Sequence, residues 1–454
     1  MSAIGRIVLA LAVTAVTTSF AAAEVAITVY NQDLGLVREN RMLPFQKGEF
    51  DLEFTSIPNT IDPTSVHFKL LDNPDAATLL EQNYRFDLVS AAKILNKFIG
   101  EEIEITAVAG NEGKFYSGEL LSFDGSMITL MTDDSGVKII DMKWVSDISF
   151  AKLPEGLITK PTLVWKLLSD VSGDQKAEVS YLARNINWHA EYVAVVAPDD
   201  KSLDLSGWVS VDNRTGATFE DAKLKLIAGD VSVVKPVPVM RRESIHLATG
   251  AYDKAGFEEK SFFEYHLYTL PRKTTIANNE IKQISLFEPA TASVNKVFVY
   301  DGSRYPNDVR IVLEFKNSRE SGLGMPIPAG KLRAMKRDTD GLLEFIGEDM
   351  IDHTPKDEEL SVYLGNAFDL VGERQVLDRK KITDRMTEET VQVKLRNHKE
   401  EDVVIKVVEH MGRYWKVQES SVEYSKKDAS TIEFLVTVPV DGETILNYVV
   451  RTWY

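Results

Sequence analysis

Apolar and polar residues alternate along much of this chain with a period of two, the signature of strands buried on one face. The cleanest run is residues 176–230. There Ile186, Trp188, Ala190, Tyr192, Ala194 and Val196 share one face, while Asn187, His189 and Glu191 take the other. After the turn PDDKS, Leu203, Leu205, Val209 and Val211 form a second apolar face. After DNRTG, Ala222, Leu224, Leu226 and Ala228 form a third. Three strands joined by short polar turns predict an antiparallel meander over a core. Trp188 and Tyr192 supply much of its apolar area, because aromatic rings bury so much surface. Trp208 breaks the pattern. Its phase opposes that of Leu205, Val209 and Val211, so it is expected to point away from that core, either covered by another element or exposed for binding.

The same period runs through the rest of the chain. Residues 24–83 read as an N-terminal β unit, with Val25, Ile27 and Val29 on one face and Phe50, Leu52 and Phe54 on another. The two prolines of IPNTIDPTSVHF predict a loop leading to a short strand near Val66–Leu70. One helix is expected within 84–99, capped by Ser90 and followed by Gly100, with Ile94, Leu95, Phe98 and Ile99 turned inward. Five short strands then fill 101–150, separated by turns that carry Gly110, Gly113, Gly125 and Gly136. Residues 153–384 are expected to form a central β-sandwich domain, interrupted by an aperiodic excursion at 232–258. Residues 385–454 give five strands at the spacing of an Ig-like unit. The expected fold class is mainly β: multidomain antiparallel β-sandwiches with an inserted small barrel and a C-terminal Ig-like unit.

The start of the chain has the plan of a secretory signal. Arg6 precedes the apolar run IVLALAVTAVTTSF, and Ala21-Ala22-Ala23 supplies small residues for cleavage before Glu24. The run is too short and too rich in Thr to make a good membrane span, and no later window holds 18 uninterrupted apolar residues. The expectation is a periplasmic or secreted protein that is not integral to a membrane once residues 1–23 are removed. The last strand, ILNYVVRTWY, alternates and ends in an aromatic, as outer-membrane barrel strands do, but the other strands lack the matching apolar band. The net charge of −17 and pI near 5.0 oppose a nucleic-acid partner, since phosphate binding needs a basic field. Cys is absent, so disulfides, thiol nucleophiles and Cys-based zinc sites are excluded, and stability must come from packed cores.

Chemistry-bearing residues are sparse. No GxSxG elbow occurs, and no two of the seven His stand at HxH or HxxxH spacing. GLGMPIPAGKL superficially resembles a phosphate loop, but Leu332 stands where Ser or Thr is needed, and the prolines remove backbone donors. It reads as a turn and a strand start. Three weak catalytic candidates remain. His189 and Glu191 share the polar face of the central meander, and Asp212 lies at its end. A hydrolase would need two such carboxylates at a fixed separation. Trp208 is the candidate ligand-binding residue. Asp349, Asp352 and His353, in the acidic stretch GEDMIDHTPKDEE, are the only candidate metal ligands, and a solvated acidic loop is the commoner meaning of such a stretch. No cofactor is implied.

Two resemblances add to this. LNKFIGEEIEI, YSGELLSFD and the closing VSDISF resemble the Sm-like (SH3-type) small barrel. Sm proteins bind RNA, but they place Asn after the Met of the first motif, where Ile128 follows Met127 here. Their second motif carries an Arg-Gly pair, where Asp141-Met142 follows Ile140. Only the barrel fold carries over. A longer series of phrases in order, among them PTLVWKL, SYLARNINWHAEYVAV, GWVSVDNRTGATFEDAKLKLIAGDV and FIGEDMIDHTPKDEELSVYLGNAFDLVGER, is similar to exported bacterial proteins with a C-terminal domain of unknown function shared with mucoidy inhibitor A-like proteins. That resemblance implies a β-rich cell-envelope protein and supplies no active-site residue. The leading expectation is a non-enzymatic binding or scaffold protein for an envelope protein or a surface polysaccharide. The alternatives are a glycan- or peptide-directed hydrolase with its site on the polar face of residues 187–212, and a structural or adhesin-like assembly protein.

Overall fold

The fold is known from a computed structural model that describes residues 24–109, 112–132, 136–152, 158–229, 231–232, 258–262, 265–412 and 414–453. The expected signal, residues 1–23, and nearly all of the excursion at 232–258 lie outside the described residues. Strands make up 70% of the described residues and helices 3%, which makes the protein mainly β. It divides into two compact units. The first takes the residues up to Ala26, Leu36–Arg184 and Thr215–Ala222; the second takes Ile27–Gly35, Asn185–Arg214 and Lys223–Tyr454.

In the first unit, Thr162–Ser169 is the middle strand of three, flanked by Gly48–Thr55 and Ala77–Arg85, both antiparallel to it. At its centre the fully buried Trp165 packs its ring against Phe54 and Phe68, each centroid 5.1 Å away. The indole N–H is satisfied by Gln82 Oε1 at 2.8 Å. Phe68 comes from a second sheet in which Leu34–Phe45, Gly173–Arg184 and Ile61–Leu70 are neighbours in that order. The expected start of a central domain at 153 is therefore too early, because Thr162–Ser169 and Gly173–Arg184 pair with N-terminal strands. The expected loop at 57–68 is also corrected. A strand runs Ile61–Leu70 through Pro63, tolerated because this strand is the end of its sheet path and the register slips between Ser180 and Leu182.

Between Ala77–Arg85 and Thr162–Ser169 the chain inserts a helix and five strands. The helix is shorter than expected, Ala91–Lys97, since Tyr84 and Arg85 still belong to the preceding strand. Ser90 caps it, its side chain accepting from the Lys93 N–H at 3.3 Å. Leu95 and Phe98 are buried, but Ile99 lies past the helix end and is exposed. The strands run in the order Val145–Phe150, Glu102–Ala109, Glu112–Phe123, Met127–Thr132, Gly136–Asp141, antiparallel throughout. Ile103, Ile105, Leu120, Ile128 and Leu130 build their core with Leu95 of the helix.

The second unit holds a five-stranded sheet in the order Glu280–Ser293, Ser202–Asn213, Ile186–Val196, Gly330–Arg337, Leu343–Ile351. The first two strands of the expected meander form a regular antiparallel hairpin, Ile186 facing Asn213 and Val196 facing Leu203. The third does not join them. Phe219–Ala228 pairs through Lys225–Ala228 with Tyr265–Thr269 in a different sheet. Its Ile227 carbonyl accepts from the buried Trp188 indole at 3.1 Å, so the strand lies against the hairpin's apolar face instead of beside it. Alternation reports which side of a strand is buried; it does not name the strand's neighbour.

Not every pairing is antiparallel. Ile186–Val196 runs parallel to Gly330–Arg337, and Asn295–Tyr300 runs parallel to Val403–His410. Gly330 opens the first of these, where a Cβ would stand 2.2 Å from the Ala190 carbonyl oxygen. The stretch that superficially resembles a phosphate loop is thus a turn and a strand start.

A nine-stranded sheet completes the unit. Its order is Tyr414–Ser420, Gly442–Trp453, Met386–Asn397, Glu359–Thr383, Asp308–Lys316, Asn295–Tyr300, Val403–His410, Thr431–Val438, Tyr424–Lys426. Phe434 and Tyr448 stack at 5.4 Å although their strands are eighth and second in that order, so the sheet curls around one core. The expected boundary at 385 falls in the turn of a hairpin. The 25-residue strand Glu359–Thr383 pairs directly with Met386–Asn397, and strands from 295 onward share the sheet.

Candidate functional site

The polar face of the five-stranded sheet carries four of the nominated residues, and register fixes their places. Glu191 faces Trp208, His189 faces Ser210, and Asn187 faces Asp212. The next strand out sets Ser285 beside Trp208 and Gln283 beside Ser210. On the other side Lys331 lies next to Glu191, with Arg333 one step along that face.

Glu191 is the hub. One carboxylate oxygen accepts from Ser210 Oγ and from Gln283 Nε2, both at 2.9 Å. The other accepts from Arg333 Nη1 at 3.4 Å and lies 4.0 Å from His189 Nε2. Burial by itself would raise this carboxyl's pKa. The Ser210 hydrogen bond and the nearby His189 and Arg333 outweigh that, so the pKa is held below the ordinary value and the group stays ionised. A general acid needs the opposite tuning. Arg333 is itself shared with Glu348 at 3.4 Å, and Lys331 also reaches Glu348 at 3.3 Å.

Asp212 does not join Glu191. It is paired with Arg214 at 3.1 Å and lies four residues along its strand from Trp208, the partner of Glu191. At strand rise that is roughly 13 Å, beyond the separations used by paired carboxylates in glycoside hydrolysis. The structure brings His189, Glu191 and Trp208 together and leaves Asp212 apart.

Trp208 is 41% exposed. The alternation of Ser202–Asn213 sets it there, since that strand pairs with Ile186–Val196 in unbroken register. The register against Glu280–Ser293 shifts on both sides of Gly207, and a Cβ on Gly207 would come within 2.4 Å of the Phe287 ring. Phe287 stacks with buried Tyr192 at 6.4 Å, filling the core side where residue 207 has no side chain.

The candidate metal ligands do not converge. Both Asp349 oxygens are taken by backbone N–H groups, those of Met350 at 2.9 Å and Tyr363 at 2.8 Å. His353 Nδ1 accepts from the Ala329 N–H at 3.1 Å. Among the described residues no group of three or more His, Asp or Glu could hold a metal ion. Asp349 ties its strand to Tyr363 on the next sheet, and His353 fastens the turn at Ala329. A cleft of about 340 Å³ opens in the first unit between Ser56, Asn59, Lys160 and Thr218, and none of the nominated side chains lines it.

Sequence reasoning missed the buried polar anchors of the second unit. Asn213, Asn317 and Asn397 are each fully buried, and each stands at or just past the end of a strand. The Asn213 amide donates to Ile276 O and Ala277 O; the Asn317 amide donates to Met325 O and Pro355 O. The signal was present as apolar-x-Asn in VDN, FKN and LRN, where the Asn occupies an inward position of the alternation.

With the fold in place, comparison with known proteins can be set beside it. Residues 177–433 match a family described as a domain of unknown function, DUF4139. The chain belongs to this family. No curated protein matches it. The DUF4139 match spans the whole five-stranded sheet and most of the nine-stranded one, and leaves out the inserted helix and five strands. The face that carries Glu191 and Trp208 is thus part of the DUF4139 domain itself. Among the described residues no helix is long and apolar enough to cross a membrane.

Proposed function

We propose that this DUF4139 protein is an exported cell-envelope protein that acts by binding, holding an envelope protein or a surface polysaccharide without transforming it. One observation carries this reading. The groups that could do chemistry on the central sheet are consumed in mutual pairs, while an aromatic ring and several apolar side chains stay open on the same sheet. Glu191 is bonded to Ser210, Gln283 and Arg333, and Asp212 to Arg214. Trp208 is exposed, and Met350 and Phe345 on the edge strand Leu343–Ile351 are exposed at 65% and 58%. A face of this composition offers contact area and hydrogen bonds rather than an activated nucleophile. The resemblance to mucoidy inhibitor A-like proteins, with its hint of exopolysaccharide control, agrees with this and is only an association.

The signal-like start supports export. The mature protein recovered from the producing cell should begin at Glu24 by N-terminal sequencing, and a chain that begins at Met1 would remove the envelope from this reading. Binding is tested by capture. The mature protein, immobilised and exposed to solubilised envelope, should retain a defined protein or glycan that a denatured control does not. If it retains nothing and instead cleaves envelope glycan or peptide, the hydrolase alternative replaces binding. A uniform polymer seen by light scattering would favour an adhesin-like assembly.

A further inference from the structure

We infer that the outer face of the five-stranded sheet is a glycan-binding platform in which Trp208 stacks on one pyranose ring of an uncharged polysaccharide and Glu191, His189 and Gln283 bind that ring's hydroxyls. This rests on the binding reading above and names its ligand class.

Trp208 is 41% exposed; the alternation of its strand turns it outward beside Ser210 and Asp212, and Phe287 fills the core side at Gly207.

The Trp208 ring stands among polar side chains. Its cross-strand neighbours are Ser285 and Glu191, and the next row along carries Gln283, Ser210 and His189. Adjacent strands stand about 4.8 Å apart and same-face residues on one strand about 7 Å apart. A pyranose resting on the indole would set its equatorial hydroxyls at just these distances. Its C–H face would lie on the ring, which suits a ligand that is apolar on one side and polar at its rim. Glu191 is pre-oriented by Ser210 and Gln283 and held ionised, so it presents an acceptor for sugar O–H donors; the Gln283 side-chain oxygen presents another.

Charge selects among glycans. Arg333 is shared between Glu191 and Glu348, Lys331 reaches Glu348, and Arg214 is paired with Asp212. Among the described residues the cations around Glu191 are paired with carboxylates, and Arg337, farther along the same strand, donates to the Gly341 carbonyl, so no row of cations faces a polyanion here. The ligand is therefore an uncharged pyranose chain.

The test uses the mature full-length chain and three immobilised tetrasaccharides, built from a neutral hexose, an N-acetylhexosamine and a hexuronic acid. Wild-type protein should bind at least one of the two uncharged probes, with little change between low and moderate salt. W208A should weaken that binding at least about tenfold, W208F should stay within about threefold of wild type, and E191Q should fall between them. Circular dichroism should match wild type for all three variants and thermal melting for the two Trp208 variants, since Trp208 is exposed; E191Q loses the Arg333 ion pair and should melt slightly lower. The inference is overturned if neither uncharged probe binds, if W208A binds like wild type, or if the hexuronate alone binds and salt abolishes it. Those failures are separable from failure of the binding function. A retained envelope protein insensitive to W208A, or a glycan bound equally by W208A, would leave that function standing and remove only the platform.

Discussion

Replacing Arg374 with Ala should destabilise the second unit by about 3–5 kcal/mol, because it strands a buried carboxylate without its counter-ion. Glu409 is only 2% exposed. Arg374 Nε donates to both of its oxygens at 3.0 Å, and Nη2 reaches the Tyr448 hydroxyl at 3.4 Å. The pair joins two strands that stand fourth and seventh in the nine-stranded sheet, so it crosses the core of the curl. Burial raises the Glu409 pKa above its ordinary value despite the opposing pull of Arg374 and Tyr448. Without Arg374 that pull weakens and the pKa rises further. The folded state then holds a proton that the unfolded chain has released, so stability falls as pH rises through the folded pKa. The deficit of R374A should be largest above neutral pH and should shrink as pH is lowered towards the ordinary carboxylate range. Urea unfolding at several pH values, followed through the fluorescence of Trp415 and Trp453, reads both effects. The double variant R374M/E409L should recover most of the loss, since removing both charges leaves neither unpaired. A loss below about 1 kcal/mol in R374A at pH 8 would mean that the carboxylate is reached by solvent.

This ion pair marks where the sequence stopped being readable. Period-two alternation showed that Ile186, Trp188 and Tyr192 point inward and that Trp208 points outward, because burial of one strand face depends on local spacing alone. It could not show that Phe219–Ala228 leaves the meander, that Gly330–Arg337 comes in parallel beside Ile186–Val196, or that Glu359–Thr383 runs across the expected boundary at 385. Those depend on which strands meet, and pairing partners are set by the whole chain. The site followed the same division. His189, Glu191 and Trp208 sit within one pairing register and were legible as a group. Asp212 shares their face but lies too far along its strand. Asp349, Asp352 and His353 are close in sequence, yet backbone N–H groups take up the Asp349 carboxylate and the His353 ring nitrogen. Arg374 and Glu409 are 35 residues apart, and no local spacing links them.

The second large effect is expected at Asn397, and it would establish whether the buried asparagines hold the strand ends of this fold. The Asn397 amide fans over three carbonyls, those of Glu401 at 2.8 Å, Pro439 at 3.0 Å and Val438 at 3.2 Å. Its side-chain oxygen accepts from the Lys399 N–H at 2.9 Å. One side chain therefore ties the turn after Met386–Asn397 to the turn that follows Thr431–Val438. N397A removes every one of these bonds and supplies nothing in return. Each buried group left unpaired costs about 1–3 kcal/mol, so a total near 3 kcal/mol or more is expected, read as a lower urea midpoint. N397D is the sharper probe because it keeps the size and the acceptor. It turns both donors into charged acceptors facing three carbonyl oxygens, so it should be less stable than N397A at neutral pH and should recover in part as acid returns a proton to the carboxyl. If the side chain served only to fill space, N397D would behave like wild type and N397A would show a small cavity penalty without pH dependence. Asn213 and Asn317 occupy the same position in VDN and FKN, so N213D and N317D should repeat the N397D result at their own strand ends.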